Sequence, residues 1–242
     1  MKAFRAQASA ELRMTARRGD SVLLNLAIPV GLLVFFSLVD VLPKPDGVRH
    51  PVQFLTPGLL ALAVMSTAMV SMGIATGFER QYGVLKRLGS TPLGRGRLLG
   101  AKITSIAVIE LVQVGVLVAI GLALGWNPGG PVGLAVPAIL LATAAFSGLG
   151  LLMAGSLRAE VTLAAANGLY LLLLLLGGMV FPLSRLPSGL RYLAEALPAG
   201  ALSDALHGSL TAGASVPVRA WIVLAVWAVA APVVAARLFR WE

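Results

Sequence analysis

Long apolar segments alternate with short polar ones along the whole chain. A transmembrane helix needs about 20 apolar residues to cross a bilayer, and several segments meet that length. We predict six membrane-spanning helices, near residues 21–42, 54–78, 103–125, 132–156, 162–182 and 217–236. No segment shows the period of two that a transmembrane β-barrel requires, so the pattern predicts an all-α membrane protein.

The interior segment 79–102 is charged but keeps a helical pattern, and it holds six of the 19 basic residues. The pattern continues out of the second predicted span at Glu79, Tyr82, Leu85 and Leu88. It breaks at Gly89–Ser90, after which Thr91 and Pro92 have the residue types favoured at the N-cap and first position of a helix. We therefore predict a short helix between the second and third spans.

An amphipathic helix is predicted at the start of the chain, in residues 1–20. Its apolar face contains Phe4 and Leu12, and Arg5, Arg13 and Arg17 lie together on the flank beside that face. Such a helix lies in the plane of the membrane interface. Two interpretations stay open, a membrane-surface anchor and a docking element for a partner protein.

The segment 182–216, before the last predicted span, contains two short helical patterns. The first consists of Leu190, Leu193 and Leu197 and stops at Pro198, and the second consists of Leu202, Ala205, Leu206 and Leu210. Neither is long enough to cross a membrane. We predict a re-entrant helical hairpin that lies in the outer leaflet and packs on the bundle.

Composition supports a membrane protein, and the distribution of charge predicts its orientation. The 242 residues are 58% hydrophobic and 12% charged, whereas soluble domains have about a quarter charged residues. Of the 19 basic residues, 14 lie on the side of the two termini. The positive-inside rule then places both termini and segment 79–102 in the cytoplasm. Because topology accounts for the net charge of +9, we expect no nucleic-acid partner.

The chain resembles the type-2 class of ABC exporter permeases. The matching run is Glu79-Arg80-Gln81-Tyr82-Gly83-Val84-Leu85-Lys86-Arg87-Leu88, followed by Thr91-Pro92-Leu93 and by Leu98, Gly100 and Lys102. The outer segment from Phe181 to Leu206 also resembles the re-entrant loop of that family, although Ala196 stands where an asparagine often precedes the proline. The resemblance covers nearly the whole chain, so we expect a single permease domain, 1–242.

This resemblance implies the membrane half of an ATP-driven exporter of a hydrophobic or amphipathic, drug-like substrate. Lipid or glycan precursors are the alternative cargo. The expected partners are a separate ATPase subunit, a second permease copy or sister permease, and the lipid membrane. The residues implied in coupling to the ATPase are Glu79, Tyr82, Gly83, Leu85, Lys86, Arg87, Leu88, Thr91 and Pro92.

ATP and Mg are expected on the partner subunit, because the chain has no Gly-x-x-x-x-Gly-Lys-Ser/Thr run. We therefore expect no cofactor, metal or catalytic residue in this chain. Two rival classes are a polytopic membrane enzyme and a secondary transporter. Against the enzyme, neither histidine lies in a predicted span and no group has ligand spacing. A secondary transporter would need discontinuous spans or charges at the midplane.

Several intramembrane residues are candidates for a substrate path: Met65, Met69, Met72, Glu110, Gln113, Asn167, Gly177 and Gly178. Methionine side chains adapt to many shapes, but core packing is the alternative for all three. Glu110 is the one acid well within a predicted span. For it, a structural role with a basic partner such as Lys102, a proton relay, and a contact with substrate or gate all stay open. The glycine pair permits either close helix approach or a gate.

Overall fold

The computed structural model describes residues 19–39, 50–89 and 95–239, and within these ranges the chain forms α-helices and no strand. In chain order the helices are α1 (Gly19–Leu38), α2 (Pro51–Gln81), α3 (Val84–Gly89), α4 (Arg95–Ala123), α5 (Ala135–Ser156), α6 (Ala159–Leu176), α7 (Ser188–Ala196), α8 (Pro198–Leu210) and α9 (Val218–Leu238). Residues 66–71 of α2 form a π-helical turn. The predicted interface helix, with Phe4, Arg5, Leu12, Arg13 and Arg17, and the predicted cap at Thr91 and Pro92 lie outside the described residues.

Five helices of the described chain are long and apolar enough to cross a membrane. They are α2, the Gly100–Ala123 part of α4, α5 together with the 3₁₀ turn before it (Val132–Ser156), α6 and α9. The all-α prediction is therefore confirmed. Helix α1 is not among these five, so the first of the six predicted spans stays a prediction.

Helix α2 lies at the centre of the bundle. It contacts α1, α4, α5, α6 and α8, and its residues from Leu55 to Met69 are almost completely buried. Where helices meet, glycines allow the backbones to approach: a Cβ added to Gly150 of α5 would lie 2.6 Å from the Met69 carbonyl oxygen, and one added to Gly73 would lie 3.1 Å from the Gly150 carbonyl oxygen. Small residues at crossings are typical of helix packing in membranes.

Glycines set the ends of two spans. The second span was predicted near residues 54–78, and α2 extends to Gln81. The helical pattern that continues through Leu88 is interrupted after α2, because Gly83 adopts a left-handed φ of +71°. The predicted short helix is present as the separate helix α3, after a turn at residues 82–83. Similarly, α6 ends at Leu176 and not near residue 182, because Gly178 has a φ of +68°.

The two short helices predicted in segment 182–216 are present as α7 and α8. Pro198 occupies the first turn of α8, where a missing N–H costs nothing. Most of α8 is buried, and it packs against α2, α5 and α9. Two side chains of α8 also form hydrogen bonds to other parts of the bundle. Ser203 Oγ donates to the Gly178 carbonyl oxygen at 2.9 Å, and His207 Nε2 lies 3.0 Å from the Phe54 carbonyl oxygen of α2. The re-entrant position of this pair in a membrane stays a prediction.

Close packing of α5 on α9 gives a test of the fold. A Cβ added to Gly148 of α5 would overlap the Pro232 nitrogen of α9. Gly148→Ala should therefore lower the melting temperature in detergent by several degrees, because overpacking costs about 1–3 kcal/mol. Gly115→Ala on α4 is the matched control, since a Cβ there would have no atom within 4 Å. Equal losses in thermal unfolding of the two variants would contradict this packing.

Candidate functional site

The end of α2 that leads into α3 is joined to three neighbouring helices by polar contacts. We call the six residues that make these contacts the α3 junction; they are Glu79, Arg80, Gln81, Lys102, Leu157 and Glu160. The first three are consecutive in α2. Their partners are Lys102 in α4, Leu157 at the end of α5 and Glu160 in the first turn of α6. The junction therefore connects four long helices close to the short helix α3.

The first contact is an ion pair between α2 and α4, the two helices on either side of α3. Lys102 Nζ donates to Glu79 Oε2 at 2.5 Å, and only 5% and 11% of the two side chains are exposed. Sequence analysis had considered Lys102 as a partner for Glu110, and that pairing is wrong. Both Glu79 and Lys102 lie at the α3 end of their helices, so they are close in space although 23 positions separate them.

The second and third contacts join α2 to the α5–α6 turn. Arg80 Nη2 donates to the Leu157 carbonyl oxygen, and Gln81 Nε2 donates to Glu160 Oε1 at 2.8 Å. Sequence analysis did not predict either contact. The sequence held one indication of the Gln81 contact. Glu160 lies in the first turn of α6, and a carboxylate is favoured at that end of a helix.

Helix α3 has one buried and one exposed side. Leu85 is 1% exposed and belongs to the hydrophobic core. Tyr82 is 71% exposed and stacks on Phe78 with ring centroids 6.2 Å apart, and Lys86 and Arg87 are also exposed. The side chain of Leu85 thus fastens α3 to its own bundle, whereas Tyr82 is available to a partner protein.

Inside the bundle, two polar side chains of α4 bond to two different helices. Gln113 Oε1 accepts from the Thr67 hydroxyl in the π-helical turn of α2 at 2.8 Å, and Glu110 Oε2 accepts from the Thr143 hydroxyl of α5. Glu110 is 2% exposed, and its Oε1 has no hydrogen-bond partner in the described part of the chain. This geometry supports the structural role among the three alternatives for Glu110, with Thr143 and not Lys102 as its partner.

The remaining substrate-path candidates separate into buried and accessible groups. Met65 and Met69 are completely buried and Met72 is 3% exposed. This burial agrees with the alternative that the three methionines pack in the core. Gly177 ends α6 and lies against α8. Asn167 reaches a cavity of about 110 Å³ between α1, α2 and α6, which is lined by Ile28, Pro29, Ser66, Val70, Asn167 and Tyr170. A role of any of these residues in transport stays a prediction.

A charged cluster at the opposite end of the bundle was missed by sequence analysis. Glu195 of α7 accepts from Arg191 Nε at 2.8 Å and from Arg219 Nη1 at the start of α9. Burial, together with the charge of Glu195, raises the pKa of Asp204 in α8 to about 6. The i, i+4 spacing of Arg191 and Glu195 was the signal available in the sequence. The hydrogen bonds of the cluster join α7 to the last span, and Asp204 of α8 lies within the range of its charges.

An all-α chain with several apolar helices of membrane-spanning length, and with charged contacts gathered at the helix ends, is a multi-pass membrane protein. Its residues 2–210 match the family model described as "ABC-2 type transporter", and the chain belongs to this family of transporter membrane domains. It is also 26% identical over 200 residues to the "Putative transport permease YvfS" of Bacillus subtilis (strain 168), an alignment that covers 82% of this chain and 81% of that protein.

The Glu79–Lys102 pair can be tested by a double-mutant cycle on thermal stability. Removing one partner of a buried pair leaves an uncompensated charge and costs about 3–5 kcal/mol. Glu79→Gln and Lys102→Gln should each lower the melting temperature, and the double variant should lose clearly less than their sum. Arg158→Gln is the control, because it removes an exposed charge from a neighbouring turn. Additive losses would show that the two side chains do not interact.

Proposed function

We propose that this chain is the membrane-spanning subunit of an ATP-driven exporter, and that a separate ATPase subunit docks on α3. The observation that carries the proposal is the position of α3, a short helix between two long ones whose adjacent ends share the buried Glu79–Lys102 pair. A push on α3 has little slack to absorb it, since only residues 82–83 separate α3 from α2. Family membership, which implies an ATPase partner, supports the same conclusion.

The exposed side of α3 is the surface that we assign to the ATPase. Tyr82 offers a large exposed ring at the start of this surface, and Lys86 and Arg87 follow on α3. Aromatic and arginine side chains are enriched among residues that dominate binding energy at protein interfaces. ATP and Mg would be bound by the partner. Leu85 is buried against its own bundle, so we assign it to fixing the orientation of α3 and not to direct contact with the ATPase.

In the working complex, two permease copies, or this chain with a sister permease, would combine with two ATPase domains. Closure of the ATPase domains would move α3, tilt the helices joined at the α3 junction, and open a path outward past α7 and α8. Both termini and α3 would lie in the cytoplasm, because most basic residues are on that side. The cargo would leave on the opposite side, past the charged cluster around Glu195.

The cargo that we propose is a hydrophobic or amphipathic, drug-like molecule. The cavity between α1, α2 and α6 has apolar walls from Ile28 and Val70 and polar groups from Ser66 and Asn167. Its volume of about 110 Å³ is smaller than the roughly 300–1,000 Å³ of drug-sized sites, so it would have to widen during transport to admit such a molecule. The cavity also lies beside the π-helical turn of α2, and π-helical turns occur frequently at functional sites. This position supports a role of the cavity in transport. A lipid or glycan precursor is the alternative cargo for an exporter of the same class.

The docking assignment is tested by truncating the exposed tyrosine. In complexes purified under mild detergent with the co-purifying ATPase, Tyr82→Ala should weaken ATPase binding about tenfold, since removal of an interface anchor costs about 1–2 kcal/mol or more. Titration of the ATPase against the solubilised permease measures this change. Tyr192→Ala on α7 is the matched control, because Tyr192 is 68% exposed and Tyr82 is 71% exposed.

Two results would contradict the proposed function. One is equal ATPase affinity of the Tyr82→Ala and Tyr192→Ala variants, which would remove α3 from the docking surface. The other is transport by the purified chain in liposomes without ATP, which would favour a secondary transporter.

A further inference from the structure

Two side chains at the last turn of α2 reach across to the turn between α5 and α6. The Arg80 guanidinium donates to the Leu157 carbonyl oxygen, which is 77 positions away in the chain. The Gln81 amide donates to the Glu160 carboxylate, 79 positions away. These contacts lie at the end of α2 next to α3, and they connect it to the end of α5 and the start of α6.

The Arg80 contact satisfies a backbone group that has no partner within its own helix. Leu157 caps the C-terminal end of α5, where its N–H bonds to the Met153 carbonyl oxygen at 2.9 Å. Carbonyl groups in the last turn of a helix lack intrahelical donors and carry a partial negative charge. A guanidinium is a strong donor for such a group, because its hydrogen bond is charge-assisted.

Close packing one turn earlier keeps the two segments in register. A Cβ added to Gly77 of α2 would lie 3.5 Å from the Thr162 side chain and 3.6 Å from the Ala159 Cα atom. The two helices are therefore in direct contact at the start of α6. Sliding of α2 along α6 would break this packing together with both hydrogen bonds.

We propose that Arg80 and Gln81 are positioning residues that carry the movement of α3 to the α5–α6 turn, so that α5 and α6 move together with α2. This inference rests on the proposed function, because an ATPase docked on α3 supplies the movement. The Glu79–Lys102 pair joins α2 to α4, and the Arg80 and Gln81 contacts add a polar link from α2 to the end of α5 and the start of α6. The movement is thereby also carried to α6, which forms one wall of the cavity that contains Asn167.

The test exchanges the two side chains of the exposed hydrogen bond between Gln81 and Glu160. Gln81→Glu sets two carboxylates against each other and should lower cargo-stimulated ATP hydrolysis about threefold, in line with the small energies of exposed charged contacts. Adding Glu160→Gln restores one amide donor and one carboxylate acceptor with their positions exchanged. The double variant Gln81→Glu/Glu160→Gln should therefore recover the stimulation of the native complex.

Arg80→Ala removes the stronger contact and should reduce cargo-stimulated hydrolysis about tenfold, because a hydrogen bond from a charged group is lost. Basal ATP hydrolysis and ATPase affinity should stay unchanged, whereas the amount of cargo moved per ATP should fall. A merely structural role would not change that ratio. Arg158→Ala is the control, since it removes a positive charge from the same turn and makes neither of the two contacts.

The possible outcomes separate the two proposals. If the native complex shows no stimulation of ATP hydrolysis by cargo, the proposed function itself fails. If the native complex is stimulated and both Arg80→Ala and Gln81→Glu are stimulated equally well, the link is overturned while the function stands. Impairment by Gln81→Glu that Glu160→Gln does not rescue would also overturn the link, because the pair would then not be its cause.

Discussion

Apolar helices surrounded by lipid gain little free energy by burying leucine against leucine, so this bundle depends on close backbone approach and on a small number of polar contacts. Glycines at the crossing of α2 with α5 provide the close approach. The polar contacts are gathered mainly at the helix ends, where the buried Glu79–Lys102 pair joins α2 and α4. The buried pair restricts separate movement of α2 and α4, because breaking it would leave two charges unpaired in a site from which water is largely excluded.

The two ends of the bundle are built for different tasks under this constraint. At one end, the short helix α3 is held by the buried side chain of Leu85, and polar contacts beside it join α2 to α4, α5 and α6. At the other end, α8 is buried among three helices, and α7 is joined through Glu195 to Arg219 at the start of the last span. A displacement applied at α3 would thus be shared among several helices before it reached α7 and α8. This is the arrangement that we expect of a transporter driven from one face.

The sequence predicted the helices well because apolar run length and helical period are local properties. It also predicted α3, α7 and α8, since proline and glycine mark their boundaries. It did not predict the turn at residues 82–83, because apolar residues continue at helical spacing on both sides of Gly83, whose φ is +71°. It could not predict the Arg80 contact, because a backbone carbonyl such as that of Leu157 leaves no trace in the residue type. The buried positions of Met65 and Met69 likewise depend on how distant helices pack.

The central claim is that the end of α2 and the α5–α6 turn move as one body during ATP-driven transport. The chain has no cysteine, so Gln81→Cys and Glu160→Cys can be joined specifically by a short, reducible thiol cross-linker. Transport of cargo into liposomes, measured before and after cross-linking with a cysteine-free ATPase, tests the claim most directly. We expect the cross-linked protein to transport at least as fast as the uncross-linked one, because the cross-link replaces the Gln81–Glu160 contact that the two substitutions remove. Loss of transport on cross-linking, and its recovery on reduction, would show that the two segments must separate and would contradict the account.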